Sequence, residues 1–528
     1  MAFLSLRGAD AFFQNRLLPV NILLIAITCQ VCLYYNDLYD LTVTDNFSEL
    51  SIRLLQALGA TAIILAGLYS LFPSLNIGLR VFIASIGFDI LFIVTWRFLY
   101  TLILNRKLFD LRIILLGSNR FAQDILAEIL DRKDCGYVVG GLLLGRDDDK
   151  DIPFYRELLK NSDIPILGTR NTPQFCASIK AMGIRKIVVA INDPGELPTR
   201  ELLKCRVDGI DVVEGNSFFE MLTGKLIVDH LRPEWLIFSD GFRKPFFGRI
   251  AKRVLDLSLS LAMLILLLPL ILVVAFLVKL DRKEPPTNPR DIWFYYPKMC
   301  NKTFLECRLD VAGRILERVR TFLELGPEAP AAAIWKGFHE ACAKEGMPPA
   351  QKLVGLLREE IESADSRGGS KYPIFFSQER VGKDGRTYMV HKFRSMIPNA
   401  ERYSGPVWAG ENDKRITRIG NFIRKWRIDE IPQLWNVLKG EMSFVGPRPE
   451  RPVFVRQLEK TIPYYRERLT VKPGLTGWAQ VSYGYGASED DSKEKLNYDL
   501  FYVKNMSFLF DLVVVLRTVK IVLFGKGR

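Results

Sequence analysis

The stretch DEIPQLWNVLKG at residues 429–440 begins with two adjacent carboxylates, Asp429 and Glu430, and continues as a short predicted helix. Pro432 suits the first position of such a helix, and Gly440 can end it. Because a helix N-terminus carries partial positive charge, we expect it to keep both carboxylates ionised and to attract phosphate. Taken alone, the motif is also typical of a capped surface helix, so the surrounding sequence decides its meaning.

The residues that precede this helix are strongly basic. Residues 414–428 contain no acid and the following cations: Lys414, Arg415, Arg418, Arg424, Lys425 and Arg427. Such a run predicts a polyanionic ligand, with a solvated basic surface as the ordinary alternative. The chain of 528 residues carries a formal charge of +13 and is 49% hydrophobic, which fits a lipid bilayer surface and anionic substrates. We expect no nucleic-acid partner, because the sequence has no helix-turn-helix, zinc-finger or RRM signature.

Further motifs flank the helix in a fixed order. They are IFFSQERVG (374–382), KFRSM (392–396), SFVGPRP (443–449) and KPGLTGWAQV (472–481). Together with Asp429 and Glu430, these motifs closely resemble those of the bacterial sugar transferases, the monotopic phosphoglycosyl transferases. The resemblance is strong over residues 249–281 and 373–524 and looser in the N-terminal half.

Members of this family transfer a hexose 1-phosphate from a nucleotide diphosphosugar to a polyprenyl phosphate. The resemblance implies the same reaction here, with a UDP-sugar as the expected donor and undecaprenyl phosphate as the expected acceptor. The step would begin exopolysaccharide or O-antigen-type glycan assembly at the cytoplasmic face of the bacterial inner membrane. By the same resemblance, Asp429 is the nucleophile and forms an aspartyl-phosphosugar intermediate. Glu430 is expected to handle a proton or to hold Mg²⁺ together with Asp429.

Phosphate chemistry at Asp429 also needs cations that neutralise the diphosphate. Arg448 lies between two prolines that fix its backbone, and is therefore suited to clamp a phosphate or a nucleotide. Lys392 and Arg394 occupy basic motif positions and are expected to reach the same anions, a solvated strand face being the alternative. The predicted phosphate-binding set is completed by Arg424 and Arg427. Since no His/Cys cluster suggests zinc, the expected metal is Mg²⁺, bound by carboxylate and phosphate oxygens.

The N-terminal region, residues 1–110, contains apolar stretches at 17–35, 52–72 and 77–104. Each is long enough to be a transmembrane helix. Basic residues after the third stretch place its end in the cytoplasm by the positive-inside rule. The number of spans in the natural protein is left open.

Residues 111–245 are predicted to form a Rossmann-like cytoplasmic domain. An apolar strand at 112–116 leads into Gly117 and then a helix, in the layout of a dinucleotide-binding unit. Asn119 stands where the second glycine of that fingerprint would let a pyrophosphate approach the backbone. A bound dinucleotide is therefore the alternative, and a structural or regulatory sheet the expectation.

The run from Val254 to Val278 is apolar except for Asp256, and it is long enough for a transmembrane helix. Basic residues flank both ends, and a crossing helix would place Asp429 on the side of the membrane away from nucleotide sugars. We therefore predict a re-entrant membrane helix within residues 246–281, broken at Pro269. A plain spanning helix is the alternative.

Residues 282–371 are an insertion relative to the family and are predicted to be a helical module of unknown role. Its predicted helices are 304–325, 331–344 and 349–363. The catalytic domain follows at 372–528, and its run at 508–524 is predicted to be an interfacial amphipathic helix or a core helix. Of the 8 cysteines, Cys29 and Cys32 lie in an apolar run and are expected to pack as small hydrophobes. The soluble thiols are expected to be reduced.

The predicted fold is a membrane α/β protein with N-terminal transmembrane helices, a Rossmann-like domain, a re-entrant helix and a small, mainly helical catalytic domain. Phosphoglycosyl transfer is the preferred function. One alternative is an NAD-dependent nucleotide-sugar epimerase or dehydratase that uses the turn at Gly117. The other is a non-enzymatic membrane scaffold of polysaccharide assembly. The sequence does not specify the sugar or the base, and it leaves a homo-oligomer open.

Overall fold

The computed structural model describes most of the chain. The described residues are 18–39, 47–75, 79–105, 110–117, 119–132, 135–143, 165–167, 175–191, 197–231, 233, 241, 245–281, 320, 323, 330–344, 372–397, 400, 413, 415–484, 486 and 488–523. They form two compact units, Met1–Thr223 and Gly224–Arg528. Both units combine helices with β-sheet, so the mixed architecture predicted from the sequence is confirmed.

Apolar helices begin the first unit. They are α1 (Leu18–Tyr35), α2 (Phe47–Leu71) and α3 (Leu79–Asn105). These helices coincide with the three predicted apolar stretches. Cys29 and Cys32 of α1 are buried against Leu54, Ala57 and Leu58 of α2, and both thiols are free. The expectation that this pair packs as small hydrophobes is confirmed.

A parallel sheet follows α3. Its strands are β1 (Leu111–Leu116), β2 (Tyr137–Leu143), β3 (Ile166–Leu167), β4 (Lys186–Val189) and β5 (Asp211–Glu214). They pair in the order β3-β2-β1-β4-β5, and every pair is parallel. The helices between and after the strands are α4 (Arg120–Asp131), α5 (Phe175–Ala181), α6 (Thr199–Val207) and α7 (Gly215–Thr223). The residues from Ile113 to Leu116 in the central strand are fully buried, as expected for a parallel sheet.

Two local features of this sheet bear on the sequence predictions. The side chain of Asn119 accepts a hydrogen bond from the backbone N–H of Ala122 at 2.9 Å and so caps α4. Cys176 of α5 and Cys205 of α6 form a disulfide, with Cα atoms 5.3 Å apart. The expectation of reduced thiols is therefore wrong for this pair, because the fold brings together two helices whose cysteines are 29 residues apart in the sequence.

The second unit contains the long apolar helix α8 (Phe246–Leu280). The break predicted at Pro269 is not present, because helical structure continues through this residue. A proline can bend a helix without ending it. Among the described residues, α8 and the part of α2 from Glu49 to Leu71 are the two helices long and apolar enough to cross a membrane, by length and composition. Large apolar side chains of α8 are exposed from Val254 to Phe276.

Both ends of α8 contact the remainder of the second unit. Near its start, Asp256 accepts hydrogen bonds from Ser443 Oγ at 3.0 Å and from the Phe444 N–H at 2.9 Å. Just after its end, Asp281 accepts a hydrogen bond from the Ile419 N–H at 3.0 Å. The roughly 25 residues between these contacts extend about 38 Å as a helix. Apolar residues between them also pack against the unit, so α8 lies along it.

The other elements of the second unit are short. They are α9 (Ala331–Lys344), β6 (Phe375–Val381), β7 (Thr387–Phe393), α10 (Arg418–Lys425), α11 (Gln433–Lys439), β8 (Ser443–Val445), α12 (Pro452–Thr461), β9 (Gly474–Thr476), α13 (Trp478–Ser482), α14 (Glu489–Asn505) and α15 (Phe508–Leu523). Strands β6 and β7 pair antiparallel, and β8 and β9 pair parallel. Leu434, Phe444, Tyr502 and Val514 form a core beside α8. Since α15 contributes Val514 to this core and exposes Leu509, it has both a core face and an apolar outer face.

The insertion at 282–371 is described only in part. The helix predicted at 331–344 is present as α9. The helix predicted at 349–363 lies outside the described residues, and of the one predicted at 304–325 only residues 320 and 323 are described.

Candidate active site

Asp429 and Glu430 lie on a 3-10 turn immediately before α11. The sequence placed them at the start of the α-helix itself. The difference arises because Arg427 has a left-handed backbone conformation (φ 54°), and because Pro432 comes just before the first residue of α11. Gly440, with φ 86°, ends α11 as predicted. Both carboxylate residues are buried, with 8% and 7% of their surface exposed.

Cations surround Glu430 on several sides. Lys392 Nζ lies 2.9 Å from Oε1, and Arg448 Nη2 lies 2.6 Å from the same oxygen. Arg427 Nη1 lies 3.7 Å from Oε2. Burial opposes the ionised form of Glu430, but the charges of Arg448, Lys392 and Arg427 hold its pKa well below its usual range. Glu430 is therefore a fixed anion that orients these cations.

Asp429 has a different environment from its neighbour. Within the described part of the chain, no hydrogen bond or ion pair engages its carboxylate. Burial, reinforced by the charge of Glu430, raises the pKa of Asp429 to about 6. We expected the helix terminus to favour the ionised form, and burial outweighs that effect here. At a pH above this value the carboxylate is mostly ionised, and its oxygens have no hydrogen-bond or ion-pair partner among the described residues.

Two different elements bring the main cations to Glu430. Lys392 lies on β7, where burial lowers its pKa and the charge of Glu430 opposes that shift. Arg448 follows β8, and its side chain is 42% exposed although it contacts Glu430. Because a guanidinium has five N–H donors, Arg448 can bind a second anion while it holds Glu430.

The remaining predicted cations lie in different places. Arg424, on α10, is close enough for its charge to favour the ionised form of Asp429. The effect of burial is larger, so the pKa of Asp429 is still raised. Arg394 does not join the cluster around Glu430: its Nη2 donates to the carbonyls of Val278 at 2.6 Å and Asp281 at 2.8 Å, at the end of α8. Arg394 is the residue after β7, and its contacts are with the end of α8 rather than with Glu430. Of the predicted cations, Lys392, Arg427 and Arg448 therefore contact Glu430.

The C-terminal part of the chain also matches known proteins. Residues 364–525 match the family model for bacterial sugar transferases. This part of the chain is therefore similar to the bacterial sugar transferases. The matched segment, called the sugar transferase domain below, contains Asp429, Glu430 and the cations around them.

The chain is also similar, over part of its length, to curated proteins. It is 48% identical over 155 residues to the UDP-N-acetylgalactosamine-undecaprenyl-phosphate N-acetylgalactosaminephosphotransferase of Aeromonas hydrophila, covering 29% of this chain and 36% of that protein. It is 42% identical over 152 residues to the UDP-glucose:undecaprenyl-phosphate glucose-1-phosphate transferase of Xanthomonas campestris pv. campestris, covering 28% and 31%. A putative undecaprenyl-phosphate N-acetylgalactosaminyl 1-phosphate transferase of Bacillus subtilis (strain 168) is 57% identical over 97 residues, covering 18% and 54%. The chain therefore spans between about a third and about a half of the length of these relatives.

Whether the sugar transferase domain can bind a metal ion depends on its carboxylates. Its described residues contain no group of three or more His, Cys, Asp or Glu side chains that could hold a metal ion. Asp429 and Glu430 nevertheless provide two adjacent carboxylates, both buried at the site. Mg²⁺ is commonly bound by one or two carboxylates together with substrate phosphates. This donor set fits Mg²⁺ that arrives with a diphosphate.

Sequence reasoning missed a buried ion pair in this domain. Arg468 Nη2 lies 2.7 Å from Asp499 Oδ2, and the side chains are 8% and 2% exposed. The two residues are 31 positions apart, on a 3-10 helix and on α14. No local pattern predicts such a pairing.

Proposed function

We propose that the chain transfers a hexose 1-phosphate from a nucleotide diphosphosugar, in particular a UDP-sugar, to a polyprenyl phosphate such as undecaprenyl phosphate. The observation that carries the proposal is the contrast between the two adjacent carboxylates. Asp429 has no partner among the described residues, whereas Glu430 holds Lys392 and Arg448 beside it. The names of the relatives, which act on UDP-sugars and undecaprenyl phosphate, support the same substrate classes.

The proposed reaction has two balanced steps. In the first, a carboxylate oxygen of Asp429 attacks the β-phosphorus of the donor, and the bond from that phosphorus to the bridging oxygen breaks. The nucleoside monophosphate leaves with the electron pair, and the sugar phosphate remains on Asp429. In the second, an oxygen of polyprenyl phosphate attacks the same phosphorus, which frees Asp429 and yields a polyprenyl diphosphosugar.

The cations around Glu430 are proposed to bind the diphosphate during both steps. Arg448 is half exposed and already oriented by Glu430, so it can neutralise charge on the phosphates without rearranging. Lys392 contributes a second positive charge from β7. Mg²⁺, held by Asp429 and Glu430 together with the phosphates, would supply further charge neutralisation when bound.

A position on the membrane is part of the proposal. Helix α8 exposes apolar side chains along its length, while Asp256 near its start and Asp281 after its end contact one and the same unit. A helix that crossed a bilayer would carry these ends to opposite sides of a hydrocarbon layer about 30 Å thick. We therefore propose that α8 is re-entrant and that the site faces the cytoplasm at the inner membrane.

The sheet of the first unit is proposed to be Rossmann-like, because its order β3-β2-β1-β4-β5 agrees with the first five strands of that fold. An NAD-dependent epimerase or dehydratase is not favoured, however. The N-terminus of α4 is already capped by Asn119, and the ring of Phe121 lies 2.8 Å from where a Cβ on Gly215 would be. Both features occupy the edge of the sheet at which a dinucleotide would bind.

A substrate screen tests the proposed function. Purified membrane protein is incubated with Mg²⁺, polyprenyl phosphate and each of a panel of nucleotide diphosphosugars, and release of nucleoside monophosphate is measured. We expect release with at least one UDP-sugar. Absence of release with every donor would favour the alternative of a non-enzymatic scaffold, and bound NAD in the purified protein would favour the epimerase.

A further inference from the structure

A buried cluster of polar side chains lies behind the segment that carries Arg448. In it, Arg468 donates through Nη2 to Asp499 Oδ2 at 2.7 Å and through Nη1 to the hydroxyl of Tyr465 at 2.6 Å. Arg468 and Asp499 are nearly inaccessible to solvent. Replacing such a buried ion pair with apolar residues often leaves a protein equally stable or more stable, so stability alone is a weak reason for its presence.

The same arginine makes a further contact with the candidate active site. Arg468 Nη2 also donates to the backbone carbonyl of Arg448 at 2.9 Å. The side chain of Arg448 in turn reaches Glu430 at 2.6 Å. A continuous chain of charge-assisted contacts therefore links Asp499 to the carboxylate beside the proposed nucleophile.

The carbonyls on either side of Arg448 are also held. The Gly474 N–H donates to the carbonyl of Pro447 at 2.9 Å, and Arg380 Nη1 donates to that of Pro449 at 3.1 Å. Both prolines restrict the backbone torsion φ. Three consecutive carbonyls, those of residues 447–449, are thus fixed by separate donors. Arg468 supplies the donor for the middle one, Arg448, whose side chain contacts Glu430.

We propose that Arg468, held by Asp499, is a positioning residue for Arg448, fixing the backbone from which the Arg448 guanidinium reaches Glu430 and the donor diphosphate. The inference rests on the proposed function, since that function supplies the diphosphate. Arg468 acts through Arg448 and does not touch substrate. A lysine at position 468 would retain the charge, but its single ammonium cannot reproduce the planar, multiple contacts of a guanidinium.

A double-mutant cycle tests this relation. Arg468→Lys, Arg448→Ala and the double variant are made in the full chain, and nucleoside monophosphate release gives kcat/KM for each. We expect each single variant to lose roughly ten- to a hundred-fold, the range for one charge-assisted hydrogen bond. The double variant should be about as active as Arg448→Ala, because Arg468 has no effect once the side chain it positions is gone. Independent, multiplying losses would overturn the inference, and so would wild-type activity in Arg468→Lys.

Arg253→Lys is the matched control. Arg253, on α8, also donates to backbone carbonyls, those of Val437 at 2.7 Å and Leu438 at 2.9 Å, and lies outside the contacts of Glu430 given above. It should keep near wild-type kcat/KM. A loss there equal to that of Arg468→Lys would mean that any arginine that binds backbone carbonyls in this unit has this effect, and would overturn the specific role of Arg468.

Affinity for magnesium pyrophosphate, measured by calorimetry, separates this inference from the proposed function. If the wild type releases no nucleoside monophosphate from any donor, the proposed function fails, and the cycle is repeated on pyrophosphate affinity. A non-additive loss of pyrophosphate affinity in the double variant still supports the positioning role of Arg468. Additive losses of affinity, no loss, or no binding of pyrophosphate by the wild type would overturn it. Should Arg468→Lys not fold, Asp499→Asn takes its place in the cycle with the same expectation.

Discussion

At the scale of single residues, Asp429 and Glu430 show how two neighbouring carboxylates acquire different states. They share one turn and are equally buried. Cations contact Glu430 and keep its pKa low, whereas Asp429 is without a partner among the described residues and has a raised pKa. The first environment suits a residue that orients cations, and the second suits a nucleophile, because attack does not first require an ion pair to break.

Asp429→Asn should abolish both product formation and release of nucleoside monophosphate in the absence of acceptor. The amide lacks the nucleophilic oxygen but is close in size, so the fold should persist. Wild-type protein given donor alone should carry sugar phosphate on a peptide that contains Asp429, as measured by mass spectrometry.

Asp490 is an exposed residue on α14, and Asp490→Asn is the matched control for that experiment. This variant should still carry sugar phosphate on the peptide that contains Asp429. An adduct on Glu430 instead would exchange the two roles. Near wild-type turnover by Asp429→Asn would rule out the covalent mechanism.

Removal of divalent metal should stop turnover. Asp429 and Glu430 are the carboxylates expected to share a hard cation with the diphosphate. Activity is measured in excess EDTA and again after Mg²⁺ is restored, which should recover it. Full activity in EDTA would contradict the metal assignment.

Sequence motifs predicted part of this site and missed another part for physical reasons. Asp429, Lys392 and Arg448 lie in recognisable motifs, and the structure brings Lys392 and Arg448 to the neighbouring Glu430. Arg394 lies in the same motif as Lys392 but donates to the carbonyls of Val278 and Asp281, which are 116 and 113 residues away, so no local pattern reveals these contacts. Arg468 contacts residues that are distant in the sequence, so only the folded chain reveals its partners.

At the scale of elements, α8 is anchored to the unit by a buried polar network as well as by apolar packing. Lys252 Nζ lies 2.8 Å from Asp511 Oδ2 on α15 and donates to the Tyr502 hydroxyl at 3.0 Å and to the Val445 carbonyl at 3.0 Å. The apolar run was readily recognised as a helix from the sequence. The basic residues that precede this run include Lys252, and from the sequence they indicate only the topology of the helix. The carboxylate that Lys252 contacts is 259 residues away, so the sequence does not reveal the pair.

Lys252→Met should destabilise the protein by about 3–5 kcal/mol, since it leaves the buried carboxylate of Asp511 without its cation. Lys252→Met combined with Asp511→Leu should recover most of that loss, because no buried charge then remains unpaired. Thermal or denaturant unfolding of the detergent-solubilised protein measures both effects. Lys279→Met, at an exposed position of α8, is the control and should change stability little. A double variant as unstable as the single one would show that the ion pair is not the source of the effect.

At the scale of the whole molecule, the direction of α8 decides how the second unit meets the bilayer. The apolar surface that it exposes needs a hydrocarbon environment or a protein partner. Contacts of Asp256 and Asp281 with one unit place both ends of the helix against the same body. The basic residues on both sides of the apolar run lead to the same expectation through the positive-inside rule. Two independent arguments therefore favour a helix that enters and leaves the membrane on one side.

Both flanks of α8 should therefore be accessible from the cytoplasm alone. Single cysteines are introduced at Gly248 and at Lys283, which lies outside the described residues, and treated with a membrane-impermeant maleimide in right-side-out and in inverted inner-membrane vesicles. Locating the label by peptide mass spectrometry lets the native cysteines stay in place. We expect both positions to be labelled only in inverted vesicles, because one unit, proposed to lie in the cytoplasm, binds both ends of the helix. Labelling of the two positions from opposite faces would establish a spanning helix. It would also require the contacts at one end of α8 to be absent in the membrane, since one compact unit cannot lie on both sides of the bilayer.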